Sequence, residues 1–450
     1  MTTVAGASGP AGGPRSAARA ASARGGRREE ILDAAAAVFA SSGYAKTSLR
    51  DVATECGILP GSLYHHFESK EAIAVELVVR YQAELERVGQ AALDQAATRN
   101  EEPVLGAVLA LSARIAECAV KHRAALQLTS YEAPAGASEH MVEVVRRQPA
   151  TIRAAMATIL QQGYAEGVIK PEIDVALFAE HLCETMRHVG IGVLHRDANA
   201  RLVAVVMCHL LIAGCARPAS DRKLDRSAAL RSANASIRSW SDTARSGPEG
   251  KTAALMSSAR REFGRRGYEA TTIRDIAAGA GMGTGSVYRF IQSKESMLES
   301  IMRAFHAKLS DGYREVLATD STTVEKLDAL TWLNINILQD SPQEFAIQSA
   351  WQRTAPPTVS GLSRPRRARA AQIRELVAAG LRRGDLRGGP DGVAPTLDTL
   401  AMCYRDLIWP ATMVELAGPH RTFAHCRSTL VRGAAVPAEI TSSVRDLGLL

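Results

Sequence analysis

The chain has few of the features that hold a protein together by disulfides or anchor it in a bilayer. Its seven cysteines stand at positions 56, 118, 183, 208, 215, 403 and 426. No Cys-x-x-Cys pair occurs, and an odd count at irregular spacing gives no disulfide frame. A reduced, cytoplasmic compartment is expected. The N-terminus lacks an apolar signal core. The longest apolar stretch, residues 202–216, includes His209 and is too short to span a membrane. Aromatic residues make up a lean 5% of the chain, while 46% hydrophobic residues overall is ordinary for a globular protein. No convincing strand-like alternation appears. No glycine-rich loop with a lysine follows a strand, as phosphate-cradling sites require. Ser62 lies near His65, but no orienting group converges on them. An enzyme is not expected, and no cofactor or metal is called for.

What is present is basic charge and length. The net charge is +7 with a pI near 9.1, which suits a nucleic-acid partner. A chain of 450 residues predicts two or more domains. Residues 1–26 are rich in glycine, alanine and serine and read as a disordered basic tail. Arg15, Arg19, Arg24, Arg27 and Arg28 fall in the first 28 residues with no acid among them. That stretch is either a solvated tail or an arm that neutralises DNA phosphates.

One block occurs twice. Residues 27–71 align without a gap on residues 251–295, and 15 of the 45 positions are identical. Among them are Gly43/Gly267, Tyr44/Tyr268, Thr47/Thr271, Gly57/Gly281, Gly61/Gly285, Ser62/Ser286, Tyr64/Tyr288 and Lys70/Lys294. The period is that of a whole domain, not of a solenoid repeat. A fainter match sets Gly163, Gly167 and Asp174 against Gly380, Gly384 and Asp391, so the duplication extends past the block. The predicted organisation is a first head at 27–72, a first body at 73–216 and a linker at 217–250. A second head at 251–296 and a second body at 297–450 follow. Helices are expected at 28–42, 48–56, 60–67, 69–97, 103–120, 122–131, 138–166, 172–195 and 199–215. In the second half they are expected at 252–266, 272–280, 284–291, 293–318, 323–339, 342–353, 362–384, 395–417 and 420–434. A weak helix near 224–240 is the only order expected in the linker.

Within the first block the residues suggest a helix-turn-helix. Thr47 is a natural N-cap for a helix in which Val52 and Ala53 face the core and Arg50 faces solvent. Gly57 stands where a left-handed cap is wanted, and Pro60 suits the first turn of the next helix. Ser69 caps the long helix after it. A short second helix held across a first is the geometry that enters a major groove. Gly61 permits close approach to bases, Tyr64, His65 and His66 can donate, and Lys70 sits where helix N–H groups favour phosphate. An ordinary capped hairpin is the alternative, weakened because two copies share these positions.

The pattern from Gly43-Tyr44 through Thr47-Ser48-Leu49, Gly57-Ile58 and Gly61-Ser62-Leu63-Tyr64 to Ser69-Lys70-Glu71 closely resembles the TetR/AcrR family of bacterial regulators. The resemblance implies an all-α fold: two tandem units, each a three-helix head on a helical body that binds a small effector and dimerises through its last two helices. It implies phosphate contacts by Thr47, Ser48, Ser62, Tyr64, His66 and Lys70, with Gly61 and His65 against bases. The second head matches at Thr271, Thr272, Gly285, Ser286, Tyr288 and Lys294. It departs at Arg289-Phe290-Ile291, where the first head has His65-His66-Phe67. Phe290 removes a polar donor, while Arg289 can reach guanine O6 and N7.

The expected partners are a double-stranded operator, an apolar or acyl-type small effector, and either an internal pseudo-dimer or a homodimer. The expected function is a ligand-relieved repressor with two unlike heads. The alternatives are a single-headed regulator whose second half is an interaction module, and a weakly specific DNA-coating protein. Weaker features remain. His181, His188 and His195 recur every seven residues with Glu184 between the first two, more an interface stripe than a metal site. Cys208 and Cys215 read as core. Trp332, Phe345, Trp351, Tyr404 and Trp409 either line an effector pocket or pack the core. Arg364, Arg366, Arg367, Arg369 and Arg374 either grip an anionic effector or form a solvated face.

Overall fold

The computed structural model describes residues 14–437, except 45, 99–102, 130–136, 148, 194–198, 217–220, 246–249 and 354–362. The architecture is all-α. The first head comprises α1 (Pro14–Ser42), α2 (Leu49–Glu55) and α3 (Pro60–Tyr64). The first body comprises α4 (Lys70–Thr98), α5 (Val104–Lys121), α6 (Arg123–Thr129), α7 (Glu139–Arg146), α8 (Ala150–Ala165), α9 (Val175–Gly192) and α10 (Ala200–Ala213). Two helices, α11 (Asp221–Asp225) and α12 (Ala228–Arg245), precede the second head of α13 (Lys251–Arg266), α14 (Ile273–Gly279) and α15 (Thr284–Val287). The second body comprises α16 (Lys294–Leu317), α17 (Thr323–Asp340), α18 (Pro342–Arg353), α19 (Ser363–Arg383), α20 (Leu397–Leu407) and α21 (Ala411–Cys426), and ends in a π-helical turn, Arg427–Val431.

Most helices fall where the apolar spacing predicts them, and the departures have local causes. The first helix begins at Pro14, so half of the expected disordered tail is helical; proline is well suited to a first turn. Residues 1–13 lie outside the described residues. The expected helix 138–166 is two helices, because Pro149 has no N–H to continue the first and opens the second. The expected 395–417 is likewise divided before Ala411 by Pro410. The boundary expected near 418 is a kink at Gly418-Pro419 inside α21.

The segment expected as a linker is also helical, and the weak helix expected near 224–240 is α12. Helix α12 packs on α16 and α17 of the second body. Ala229, Ala233, Leu230 and Trp240 are buried. Trp332 Nε1 donates to Asn234 Oδ1 at 2.9 Å, and Ser236 Oγ donates to Glu315 at 2.6 Å. Arg427 ties α11 to the core by pairing with both Asp225 and the buried Asp328. Helices α11 and α12 thus pack against the second body, and residues 217–220 and 246–249 lie outside the described residues.

The two halves meet through α9 and α10 on one side and α20, α21 and the π turn on the other. Their contacts are reciprocal. Ile169 bridges Ala435 while Ala216 bridges Leu386. Lys170 N donates to Ala434 O at 2.9 Å, and Arg387 N donates to Cys215 O at 2.8 Å. Cys215 N reaches Leu430 O, and Ala434 N reaches Leu211 O. Each bond has a mate in which equivalent residues exchange roles, the signature of a two-fold interface. Here one chain supplies both sides. At its centre Gly214 and Gly433 cross with positive φ of 76° and 80°. A Cβ on Gly214 would lie 2.5 Å from Gly433 N, and one on Gly433 would lie 2.4 Å from Ala213 C. Only glycine allows the backbones this close.

Candidate nucleic-acid interface

Both heads are built on the same frame. In the first, Phe39, Val52, Leu63, Phe67 and Ile73 are buried, each contributing roughly 1.5–3 kcal/mol by leaving water. Ser48, not Thr47, caps α2: Asp51 N donates to Ser48 Oγ at 3.2 Å, and Ser48 N donates to Asp51 at 2.7 Å. Thr272 and Asp275 repeat this box on α14. The hydrogen bonds from Ser48 and Thr272 hold the carboxyls of Asp51 and Asp275 below the usual carboxylate range. The capping signal was legible as Ser-x-x-Asp and Thr-x-x-Asp.

Thr47 and Thr271 turn inward instead. Thr47 is 3% exposed and its hydroxyl donates to Gly43 O at 2.9 Å; Thr271 donates to Gly267 O at 2.8 Å. Lys70 is also committed internally. Its Nζ donates to Tyr44 O at 2.8 Å and Thr47 O at 2.9 Å, and stands 4.3 Å from the centre of the Tyr44 ring. Lys294 makes the same three contacts with Tyr268 and Thr271. Burial lowers the Lys70 pKa. These contacts give the four residues a structural part in the head. They close the loop before the helix-turn-helix, because its carbonyls have no helical donors.

The remaining expected residues lie at the surface. Ser48, Gly61, Ser62, Tyr64 and His65 are exposed and His66 is half-buried. In the second head Thr272, Gly285, Tyr288 and Arg289 are exposed and Ser286 is half-buried. Tyr64 and Tyr288 are 57% and 61% exposed, unusually open for large aromatic side chains with no packing role. A Cβ on Gly61 or Gly285 would meet nothing within 4 Å, and neither glycine has positive φ. Nothing within the described residues requires glycine there. Gly61→Ala is therefore expected to keep or raise thermal stability, by up to about 1 kcal/mol of helix propensity. It should still weaken operator binding at least about tenfold in a gel-shift titration. Equal loss of stability and binding would count against this reading.

Sequence reasoning overlooked what separates the heads mechanically. Arg28 lies 4.1 Å over the Phe67 ring, donates to His66 O at 2.6 Å and pairs with Glu76. It braces the end of α3 against α4. The second head has Thr252 at the equivalent position, Ile291 is only half-buried, and Phe290 is 37% exposed. The heads also touch: Lys46 Nζ lies 3.1 Å from Glu269 Oε1. Both side chains are about half exposed, so the pair is worth no more than about 1 kcal/mol.

This head, made twice on one frame, has counterparts in known proteins. The profile described as "Bacterial regulatory proteins, tetR family" matches residues 31–77 and again 255–301. The transcriptional repressor KstR2 of Mycolicibacterium smegmatis is 35% identical over 161 residues, covering 35% of this chain and 75% of that protein. The chain belongs to the TetR family. It carries two TetR-type DNA-binding units in tandem and is a DNA-binding transcriptional regulator. KstR2 of Mycobacterium tuberculosis is 33% identical over 35% of this chain and 77% of that protein. A solved structure of the ketosteroid regulator KstR2 of the same species aligns over 39% of this chain and 86% of that one, with 25% identity and a TM-score of 0.33. The TetR-type relatives are regulators of transcription, and no helix among the described residues is long and apolar enough to cross a membrane.

The weaker constellations resolve mostly into packing. His181 shares a 3.0 Å hydrogen bond with His425 across the two halves. His188 Nδ1 lies 2.7 Å from Glu184 O, and His195 lies outside the described residues. Cys208 and Cys215 are buried. Phe345 stacks on Trp409 at 5.7 Å, Trp332 packs on Phe423 at 4.8 Å, and buried Tyr404 donates to Arg387 O; the Trp351 side chain is outside the described residues. Of the arginine run, Arg364, Arg366, Arg367 and Arg374 are exposed, whereas Arg369 is 6% exposed.

Proposed function

We propose that the chain is a repressor that acts as a single-chain pseudo-dimer on an operator with unlike halves. The observation that carries this reading is the reciprocal seam between the halves. It is already satisfied within one chain, whereas an ordinary dimeric reader forms it between two. Joining the halves makes their pairing intramolecular, at an effective concentration of roughly millimolar for a short linker. Two recognition helices on one operator are spaced by about one DNA turn, about 34 Å. In this reading the heads span 27–72 and 251–296, the bodies 73–216 and 297–450, and α12 belongs to the second body.

Ser48, Ser62, Tyr64 and His66 hold phosphates beside the first half-site, with Gly61 and His65 against its bases. Thr272, Ser286 and Tyr288 do the same in the second, with Gly285 at the groove and Arg289 on a guanine. Light scattering of the chain on its operator should give one 48.0 kDa protein per site. An obligate dimer on a symmetric site would sink the proposal. Changing Tyr64 and His65 together to alanine, or Tyr288 and Arg289 together, should each cost about tenfold or more in operator affinity. The losses should map to opposite half-sites in footprints. If only the first pair matters, the chain is a single-headed regulator with an interaction module attached.

Release by a small effector fits the second body. Arg369 is buried against Ser310 Oγ at 3.1 Å and His306 Nδ1 at 3.2 Å. No carboxylate among the described residues lies within 4.0 Å of it, and burial pushes its pKa down. A buried guanidinium without an anion favours an effector that brings one, such as an acyl-type ligand with an acidic group.

A further inference from the structure

Helix α5 is capped at its C-terminus by His122, whose N–H closes the last turn on Cys118 O at 3.0 Å. The i, i+4 spacing puts the Cys118 thiol and the His122 ring on one face, and that face looks at Glu84 on α4. His122 Nε2 lies 2.8 Å from Glu84 Oε2. One donor atom from each of Glu84, Cys118 and His122 falls within 4.8 Å of the other two. Cys118 is buried, while Glu84 and His122 are half-buried at the rim, so the cluster has a dry floor and an open side.

The second unit shows what the fold needs at this crossing. Helices α5 and α17 are each 18 residues long. End-to-end alignment pairs Lys121 with Asp340, Cys118 with Ile337 and His122 with Ser341, while Glu84 corresponds to Lys308. The first unit joins its helices by Lys121 and Glu84 at 2.6 Å; the second uses Lys308 and Asp340 at 2.7 Å. The brace is the same with its charges exchanged. It stands in the second unit without a thiol or an imidazole. The first unit therefore carries two metal-ligating side chains that the brace does not require, both aimed at its carboxylate.

We propose that Glu84, Cys118 and His122 bind a divalent transition metal of the zinc class. Thiolate, imidazole and carboxylate together match a borderline-soft ion, and three protein ligands leave a fourth position for water or an exchangeable ligand. Lys121 and His122 meet the same carboxylate oxygen, Glu84 Oε2. The thiol proton departs to solvent on binding, and His122 binds as the neutral ring. Drawing the three donors to coordination distances of about 2.0–2.3 Å needs side-chain adjustment only, since all three sit at the ends of rotatable bonds.

The test uses the full-length protein, stripped by a chelator and titrated with Co(II) as the spectroscopic probe. One equivalent should bind with a thiolate-to-cobalt charge-transfer band, and Zn(II) should displace it. Cys118→Ser should abolish the band. His122→Ser, which installs the residue the second unit already has, should weaken binding at least about tenfold with an unchanged circular dichroism spectrum. Cys56→Ser should change nothing, because Cys56 is the one half-exposed thiol and lies in the head. Absence of stoichiometric binding to the unaltered protein would overturn the proposal. So would a band and affinity that survive both Cys118→Ser and His122→Ser.

Discussion

Gly433→Ala is expected to be among the most damaging single-methyl changes in the described structure. The added Cβ would lie 2.4 Å from Ala213 C and 2.6 Å from Gly214 N, both backbone atoms held by the seam itself. Positive φ adds roughly 1–2 kcal/mol of strain for any L side chain. The collision cannot be relieved by a rotamer change, so the halves must separate there, breaking the paired bonds at Cys215, Ala216, Ala434 and Ala435. A total near or above about 4 kcal/mol is expected, and Gly214→Ala should match it because the seam is reciprocal. Gly167→Ala is the control: it has φ of 75° but open space around its Cβ, so it should cost only the backbone strain. Urea midpoints would measure all three. Equal losses for Gly433→Ala and Gly167→Ala would show that the seam is not tightly held in solution.

The second large effect is acid lability of the same seam. His181 and His425 are buried against each other from opposite halves. Burial pushes His425 from 6.5 to about 4 and His181 well below its usual value. His209, on α10 at the seam, is pushed to about 4 by burial and by Arg387. All three fold as neutral rings. Below pH 6.5 the unfolded chain takes up protons that the folded chain refuses, so stability is greatest above that value. It falls as pH drops towards 4 and levels off below the folded values. For His425 alone the shift corresponds to about 3 kcal/mol. Asp174, held below the usual carboxylate range by hydrogen bonds from Leu177 and Arg421, adds a further loss only below its ordinary value of 3.8. Unfolding measured at pH 7 and pH 5 should show the drop, and His425→Gln should flatten it. An unchanged slope in that variant would place the acid sensitivity elsewhere.

Much of the candidate interface is legible without coordinates, because a helix-turn-helix is specified locally. The cap, the turn glycine, the proline that opens α3 and the buried Val52, Leu63 and Phe67 sit within about twenty residues of one another. Errors arise where a side chain has two destinations at equal sequence distance. Thr47 and Ser48 are adjacent hydroxyls, and only the packed loop decides that Thr47 turns to Gly43 O while Ser48 caps α2. At Lys70 the tertiary structure adds what its position at a helix start does not show: the carbonyls of Tyr44 and Thr47 are delivered to its ammonium. Helix α12 is only faintly signalled in a segment rich in serine and arginine. Its signal is the one-sided stripe of Ala229, Leu230, Ala233, Ile237 and Trp240, weak because two of the five are alanine.

The sequence by itself determined the helical fold, the duplication and the unlike recognition segments, since these rest on short-range periodicity and on residue identity. The tertiary structure alone decided that the two halves clasp each other. That clasp depends on pairing Ile169 with Ala435 and Leu386 with Ala216, contacts between residues more than 150 positions apart in the chain. Such pairings leave no local pattern, because backbone hydrogen bonds can be made by any residue, and Gly214 and Gly433 record the crossing only by lacking a side chain.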